Sequence, residues 1–257
     1  MTDDDLLAVL VDTAGAIAAE LADTIDWSLA DTRPGQYLSD LAADRVAVAA
    51  ITGAGLGVFS EESGGHHLDR ATVVVVDPLD GSTNASRHLS WFATSLCAVD
   101  HAGLAAAVVL DLVHSTRYEA VRNGGARRNG EPIRPTAVTE LADALVGLNG
   151  LPSAHLGWGQ FRALGAAALD LCAVADGRLD GFVDCTDDGL APWDYLGGLL
   201  ICREAGAAVA DLHGRDLEAV DAGRRTVVAG ATASLVDTLA SARRSAGPAV
   251  APPRLDP

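Results

Sequence analysis

The sequence predicts an α+β fold, because segments with the spacing of amphipathic helices alternate with apolar, β-prone runs joined by short turns. The chain has 257 residues, of which 49% are hydrophobic, so it can bury a sizeable core as one large domain or two modest ones. It carries 35 acidic and 18 basic residues, with a formal net charge of -17. Such a charge repels nucleic acid and anionic membranes, so we expect neither as a partner.

The ends of the chain and its cysteines give further expectations. The N-terminus is acidic, and no uninterrupted apolar run approaches the roughly 20 residues of a membrane span, so we expect a cytoplasmic protein. The four cysteines are widely spaced without a CxxC pair, which favours buried thiols over a disulfide framework or a zinc site. Residues 247–257 contain four prolines and are predicted to form a flexible tail.

The N-terminal part of the chain is predicted to be helical. Residues 6–22 follow an Asp-rich start and have helical spacing, residues 32–35 form a loop, and residues 38–51 form a second helix that glycines terminate. Asp40 and Asp44 lie on this second helix, where acidic residues most often form a solvated face.

Residues 72–85, TVVVVDPLDGSTNA, are the most informative stretch of the chain. The four consecutive valines predict a strand that is buried on both faces. Pro78 cannot extend the hydrogen-bond ladder, so we expect the chain to turn there and the carboxylates of Asp77 and Asp80 to converge. Gly81 permits close approach of a ligand, and the polar residues after it suit a helix start. The stretch therefore offers oxygens for a hard cation and N–H donors for an oxyanion.

The remaining elements are predicted from apolar runs and from the turn residues that bound them. Strands are predicted at residues 56–59, 91–99, 105–112, 117–121, 177–183 and 226–229, with a hairpin connection at 123–130. Helices are predicted at residues 165–175, 192–206 and 235–242. The Gly-rich residues 137–164 are the least informative.

Three motifs resemble those of one phosphatase family, in the same order. The string DPLDGSTN at residues 77–84 is similar to the signature of the inositol monophosphatase family, which belongs to the lithium-sensitive, metal-dependent phosphatases. SEES at residues 60–63 resembles the family's Gly-Glu-Glu-Ser, and the Trp-Asp pair at residues 193–194 opens a helix as it does in the family. The resemblance covers about residues 38–206. It implies a layered α/β/α/β sandwich of the inositol monophosphatase and fructose-1,6-bisphosphatase type, and commonly a homodimer.

On this resemblance, residues 1–246 form a single domain. About residues 1–135 contribute helices and the antiparallel sheet with the metal site, and about residues 136–246 contribute a C-terminal α/β half.

The resemblance also implies a site for two or three Mg²⁺ ions, with Mn²⁺ as a substitute. The ligands of the first ion would be Glu61, Asp77 and the Leu79 carbonyl, those of the second would be Asp77, Asp80 and Asp194, and a third ion would contact Glu61. An all-oxygen carboxylate set of this kind selects Mg²⁺ or Mn²⁺ over zinc.

The catalytic residues implied by the resemblance are Glu61 and Ser82, which would orient a metal-activated water for attack on phosphorus. Asp44 is the closest match to the acid that holds the Ser82 hydroxyl, although Asp40 is an alternative. The backbone N–H groups of Gly81, Ser82 and Thr83 would hold the phosphate.

The substrate side of the site departs from the family pattern. Asp187 or Asp184 would take the place of the family's substrate-contacting Glu, and Ala166 stands where the family has a Ser. An upstream lysine is also missing, with GQY at residues 35–37 in its place.

These observations predict hydrolysis of an inositol monophosphate or another small phosphorylated metabolite. Histidinol phosphate and phosphoadenosine phosphate are alternatives within that class. An alternative of another class is a metal-binding regulatory or partner protein with weak or no turnover.

Overall fold

The computed structural model describes residues 1–24, 26–30, 32–221 and 223–247. Within these residues the α-helices are α1 (Asp3–Ala22), α2 (Leu38–Gly53), α3 (Ser82–Ser86), α4 (Ala167–Ala175), α5 (Pro192–Ala205) and α6 (Ala233–Ala246). A short 3₁₀ turn covers Leu141–Asp143.

The strands form two sheets. The first contains β1 (Gly57–Ser60), β2 (Gly64–His66), β3 (Thr72–Asp80), β4 (Ala93–Asp100), β5 (Gly103–Asp111), β6 (Thr116–Val121), β7 (Gly125–Arg128) and β8 (Glu131–Pro132), in the order β2-β1-β3-β4-β5-β6-β7-β8. The second contains β9 (Leu145–Asn149), β10 (Gln160–Arg162), β11 (Gly181–Asp184), β12 (Ala208–Asp211) and β13 (Val227–Gly230), in the order β10-β9-β11-β13-β12. Most pairs are antiparallel, but β1 lies parallel to β3, so both strands deliver their C-terminal ends to the same edge.

The elements stack in layers, as the resemblance implied. Helices α1 and α2 cover one face of the first sheet, and α4 and α5 lie between the two sheets. Helix α6 covers the outer face of the second sheet, where it closes a separate apolar cluster. The α/β/α/β sandwich is therefore confirmed, with α6 as an additional outer layer. That residues 1–246 form a single domain stays a prediction.

Most of the predicted elements are present, with shifts at their ends. Helix α1 starts earlier than predicted because the hydroxyl of Thr2 caps it and Asp5 completes a capping box. Strands β2, β8, β9, β10 and β12 were not predicted. The expected hairpin connection at residues 123–130 is wrong, because residues 125–128 form β7 between two tight turns. Four residues between turns give too short a pattern to be read as a strand.

The expected turn at Pro78 is also wrong. Strand β3 continues through Pro78 to Asp80, and its pairing with β4 shifts register between Asp77 and Asp80. A proline cannot donate to the ladder, and a β-bulge accommodates this because one residue is left out of the pairing.

The remaining expectations concern the cysteines, membrane spans and the tail. All four cysteines are free and buried, which confirms the buried thiols. In the described part of the chain, no helix combines the length and apolar character that crossing a bilayer requires. The predicted flexible tail at residues 247–257 lies outside the described residues, except for Gly247.

Candidate metal centre

The bulge in β3 determines which way the two aspartates of the central motif point. Asp77 pairs with Ser95 and Asp80 with Ala93. The chain therefore advances three residues along β3 where it advances two along β4, so β3 contains one extra residue. In a regular strand, residues three apart point to opposite faces, but one extra residue restores them to the same face.

The packing of neighbouring apolar residues supports this description. Val75 contacts the cluster around α4 and α5, whereas Val74 and Val76 contact the cluster under α1 and α2. Leu79 follows Val75 by four residues, so in a regular strand both side chains would point to the same face. Leu79 nevertheless lies in the α1 and α2 cluster. The bulge therefore reverses the pleat and turns Asp80 toward α4.

Three carboxylates from separate segments meet at this edge of the sheet. Glu61 directly follows β1, and the parallel pairing of Ser60 with Val76 sets it beside Asp77. Asp194 lies in the first turn of α5. One carboxylate oxygen from each of Glu61, Asp77 and Asp194 lies within 4.8 Å of the others. The convergence expected from the sequence is therefore present in the structure for these three acids.

Asp80 borders this group from the side of α4. Its Oδ2 accepts a hydrogen bond of 2.8 Å from the backbone N–H of Ala168, in the first turn of α4. Asp80 is not among the three acids whose oxygens are mutually closest. Asp80 is still close enough to interact with the group. In addition to burial, the charge of Asp80 raises the pKa of Asp77, and the charge of Asp194 raises the pKa of Asp80.

Burial raises the pKa of all four acids, and repulsion between carboxylates adds to the shift for Glu61, Asp77 and Asp80. Burial is the largest cause for Asp77 and Asp80, whose pKa values lie well above the usual range, and neighbouring carboxylates raise them further. Burial and then the charge of Asp194 raise the pKa of Glu61 to about 8. Burial raises the pKa of Asp194 to about 6, although a hydrogen bond from Ala191 opposes the shift. Without added positive charge, this centre therefore retains protons.

Asp194 makes two kinds of contact. Its Oδ2 accepts a hydrogen bond of 2.7 Å from the backbone N–H of Ala191, which is the N-cap residue of α5. The same carboxylate faces Glu61 and Asp77. It is thus both a helix-capping residue and a member of the acidic group.

The loop after Asp80 is held close to α4. Gly81 has a φ of 84°, and a Cβ atom there would lie 3.1 Å from the Trp91 carbonyl oxygen and 3.2 Å from Ala166 Cβ. Only glycine combines this conformation with so close an approach. Asn84 Nδ2 donates to the carbonyl oxygens of Trp91 and Leu164 at 2.8 and 2.7 Å. Ala166, predicted on the substrate side, is therefore adjacent to the start of α3, where Ser82 and Thr83 lie.

The structure corrects the expected partner of Asp44. Its Oδ1 accepts a hydrogen bond of 2.5 Å from Ser60 Oγ, and no hydrogen bond joins it to Ser82 in the described residues. The reason is the alternation of β1: Ser60 points to α2, so that Glu61 can point to the opposite side.

Asp40 faces the acidic group more directly than Asp44 does. Its charge raises the pKa of Glu61, and burial raises its own pKa to about 7. One carboxylate oxygen, Oδ2, accepts from the backbone N–H of Tyr37 at 2.8 Å. The other, Oδ1, is buried and has no partner among the described residues. This geometry favours Asp40 over Asp44 as the supporting acid.

Asp184 and Asp187 occupy different environments. Asp184 ends β11 and is fully buried, and it accepts hydrogen bonds from Asn149 and Thr186. Asp187 has a side chain that is 55% exposed and forms an ion pair of 2.6 Å with Arg243. Only Asp187 is accessible to a substrate without rearrangement, although its contact with one stays a prediction.

Sequence reasoning missed one basic residue at the centre. Arg33 Nη2 lies 3.7 Å from Glu61 Oε1 and 2.7 Å from Glu62 Oε2. No periodicity or motif marks Arg33, because it lies in a loop 28 residues before its partner. The missing lysine was the one available signal.

The acidic group fits a divalent metal. Its donors are carboxylate oxygens, the ligand type of Mg²⁺ and Mn²⁺, and they come from the residue after β1, from β3 and from α5. Burial, and then the neighbouring carboxylates, raise their pKa values, and a bound cation would favour their ionised forms.

Comparisons with known proteins agree with this geometry. The model of the inositol monophosphatase family matches residues 40–247. The inositol-1-monophosphatase of Mesorhizobium japonicum is 36% identical over 203 residues, which are 70% of this chain and 74% of that protein. Nus factor SuhB of Salmonella typhimurium is 35% identical over 172 residues, 61% of this chain and 63% of its own length.

The similarity extends to the three-dimensional structure. An inositol monophosphatase structure from Anabaena (Nostoc) has a TM-score of 0.81 at 25% identity, covering 95% of this chain and 97% of that one. The family match spans the three motifs and most of the described chain, and the fold agrees with it. The chain belongs to the inositol monophosphatase family.

Proposed function

We propose that this protein is a Mg²⁺-dependent phosphomonoesterase that hydrolyses an inositol monophosphate or a similarly small phosphorylated metabolite. The observation that carries the proposal is the convergence of Glu61, Asp77 and Asp194, which Asp80 borders. The chain also belongs to the inositol monophosphatase family. Structural acids are usually spread over a surface or paired with bases, whereas these four lie together, with Asp77 and Asp80 buried and the other two half-buried.

The residues that would hold the ions are Glu61, Asp77, Asp80, Asp194 and the Leu79 carbonyl. When bound, Mg²⁺ ions would supply positive charge to the phosphate and its leaving oxygen and lower the pKa of water. Mn²⁺ would fit the same donors.

The chain's own groups would orient the attack and accept its proton. Glu61 is suited to accept a proton because its carboxylate lies in the acidic group, and Arg33 contacts both that carboxylate and the backbone oxygen. We propose that the Ser82 hydroxyl orients the attacking water and that Asp40, with its unpartnered Oδ1, supports this hydroxyl. The backbone N–H groups of Gly81, Ser82 and Thr83 would donate to the phosphate oxygens.

Inositol monophosphate is the first substrate to test, because the Mesorhizobium and Anabaena relatives bear the name of that activity. Ala166 lacks the hydroxyl that the family motif places next to the substrate. Loss of one hydrogen bond to a polyol costs on the order of 1 kcal/mol, which leaves room for another alcohol. Histidinol phosphate and phosphoadenosine phosphate are therefore the next candidates.

The test is phosphate release from a panel of phosphomonoesters with Mg²⁺, with and without Li⁺. We expect Asp80→Asn to abolish nearly all Mg²⁺-dependent release, since it removes a charge that the ions require while an amide oxygen can still accept from Ala168. Asp237→Asn, at an exposed position on α6, is the matched control and should retain wild-type release. Unchanged turnover in Asp80→Asn would reject the assignment.

A second candidate function of another class is a metal-binding partner protein. It is favoured by the similarity to a protein named Nus factor SuhB. If no ester of the panel releases phosphate but the chain still binds Mn²⁺, this second function replaces the first. The net charge of -17 argues against direct contact with nucleic acid, so such a partner would be a protein.

We also propose that the protein is a homodimer, as the family resemblance implies. Size-exclusion chromatography with light scattering measures this directly, and a monomer at micromolar concentration would contradict it.

A further inference from the structure

Arg33 is held beside the acidic centre by two further contacts. Its Nη1 donates to the Glu61 backbone oxygen at 3.1 Å, and its Nη2 donates to Glu62 Oε2 at 2.7 Å. The same guanidinium lies 3.7 Å from Glu61 Oε1, the carboxylate that also faces Asp77 and Asp194. One side chain therefore contacts both the backbone and the carboxylate of Glu61.

The loop that carries Arg33 is fixed in place from two directions. At its base, Ala30 N donates to the Gln36 carbonyl at 2.7 Å and Leu38 N donates to Ser28 at 3.0 Å. At its tip, the Gln36 amide contacts Glu62, whose side chain is only 5% exposed. Gln36 itself is 4% exposed.

These contacts distinguish Arg33 from an ordinary surface ion pair. An exposed pair has two mobile partners and contributes little to structure. Here Glu62 and Gln36 are buried and aim the arginine at one place. The position of its charge is therefore determined by the fold.

The charges at the centre can be counted. Glu61, Asp77, Asp80 and Asp194 carry four negative charges when ionised, and two divalent ions neutralise them. Arg33 neutralises Glu62. A further ion on the outer side of Glu61 would meet a guanidinium rather than a free carboxylate, and like charges at such distances repel.

We propose that Arg33 is a positioning residue that supplies a built-in positive charge on the outer side of Glu61 and limits the centre to two divalent ions. This inference rests on the proposed function, because it concerns the same carboxylates. It assigns to the loop of residues 32–36 the role of setting the number of ions.

The experiment counts bound Mn²⁺ on the full chain by equilibrium dialysis with metal analysis, and by electron paramagnetic resonance of the free ion. The wild-type protein should bind about two ions per chain. Arg33→Ala should bind one additional, weaker ion. Arg33→Lys keeps the charge and should retain the wild-type number. Arg127→Ala, which removes an exposed arginine from β7, is the matched control and should also retain it.

A second variant guards against misfolding of the first. Arg33→Gln removes the charge but keeps a long polar side chain, and it should raise Mn²⁺ uptake in the same direction as Arg33→Ala. Circular dichroism checks that each variant is folded.

The outcomes separate this inference from the proposed function. A wild-type protein that binds no divalent ion would overturn the metal centre as a whole. A wild-type protein that binds three ions, or Arg33→Ala and Arg33→Gln variants that both bind two, would overturn only the role of Arg33. A third ion in Arg33→Lys would show that charge is not the cause and would overturn it as well.

Discussion

Two buried acidic regions of this protein behave in opposite ways. Asp211, at the end of β12, has a fully buried side chain that accepts hydrogen bonds from the backbone of Thr226, His213 and Arg215 and from the Arg215 guanidinium, all at 2.8–3.0 Å. Burial alone would raise its pKa, but the Arg215 side chain and these N–H donors outweigh burial and hold the pKa well below its usual range.

The acids of the metal centre are buried or half-buried and have fewer such donors. Asp77 accepts from Leu79 N at 3.0 Å, Asp80 from Ala168 N and Asp194 from Ala191 N, so each of the three has one backbone donor. Their pKa values are raised, whereas that of Asp211 is lowered. Asp211 is satisfied within the chain, while the centre needs positive charge from outside. The contrast separates a structural carboxylate from one that binds a ligand.

The largest expected effect is at the centre itself. Asp77→Asn should lower phosphate release by roughly a thousandfold, which is about 4 kcal/mol of transition-state stabilisation. The metal-free protein should be as stable as wild type or more stable, because one of several repelling charges is removed. Steady-state kinetics and thermal unfolding in EDTA measure the two effects. A large fall in melting temperature without metal would mean that Asp77 is structural, like Asp211.

Asp211→Asn should have the reverse effects, with lower stability and an unaffected metal centre. The amide NH₂ would face N–H donors or the Arg215 guanidinium, so we expect a loss of about 2–3 kcal/mol in the free energy of unfolding. Mn²⁺ binding should be unchanged. Urea unfolding, paired with the dialysis measurement, checks both. Equal stability to wild type would show that the hydrogen bonds around Asp211 contribute little.

The pH dependence of stability should distinguish the two regions next. The pKa of Asp194 rises from 3.8 to about 6 and that of Glu61 from 4.5 to about 8 on folding. The folded, metal-free protein then holds more protons than the unfolded chain between about pH 4 and 8, so these acids destabilise it increasingly as the pH rises through that window.

Mg²⁺ competes with those protons. The increase in melting temperature on adding Mg²⁺ should therefore be larger at pH 8 than at pH 5, and differential scanning fluorimetry at constant ionic strength measures it. An increase that is the same at both values would show that the acids are already ionised without metal.

The smallest effect is expected beside the centre. Ser60→Ala removes the 2.5 Å hydrogen bond to Asp44 and should cost about 1 kcal/mol of stability with little change in turnover. Asp40→Asn should instead lower turnover about tenfold, since we propose that Asp40 supports Ser82. Urea unfolding and kinetics on both variants test this pairing. The opposite result would restore Asp44 to the catalytic role.

The parts of the site that the sequence predicted are those with a local pattern. The valine run before Asp77 and the Pro-Trp-Asp start of α5 each identify an element and the acid at its end. The parallel arrangement of β1 and β3 then brings Glu61 to Asp77. Local residue preferences and family motifs were sufficient for these features.

The remaining features depend on contacts between distant segments. Asp40 and Asp44 are four residues apart, so they lie on the same face of α2, and only the packing of that helix shows that Asp44 meets Ser60. Arg33 acts across 28 residues from a loop without periodicity. The turn at Pro78 was a correct local preference that the pairing of β3 with β4 overrode by forming a bulge.

The bulge makes the pairing of this segment matter more than most of its side chains. If residues 77–80 paired regularly with β4, the two aspartates would point to opposite faces, and one would enter the apolar layer beneath α1 and α2. Such a pairing would combine the loss of a ligand with an isolated charge among apolar side chains. Pro78 has no N–H to donate to a regular ladder, so it favours the bulged pairing that keeps both acids at the centre.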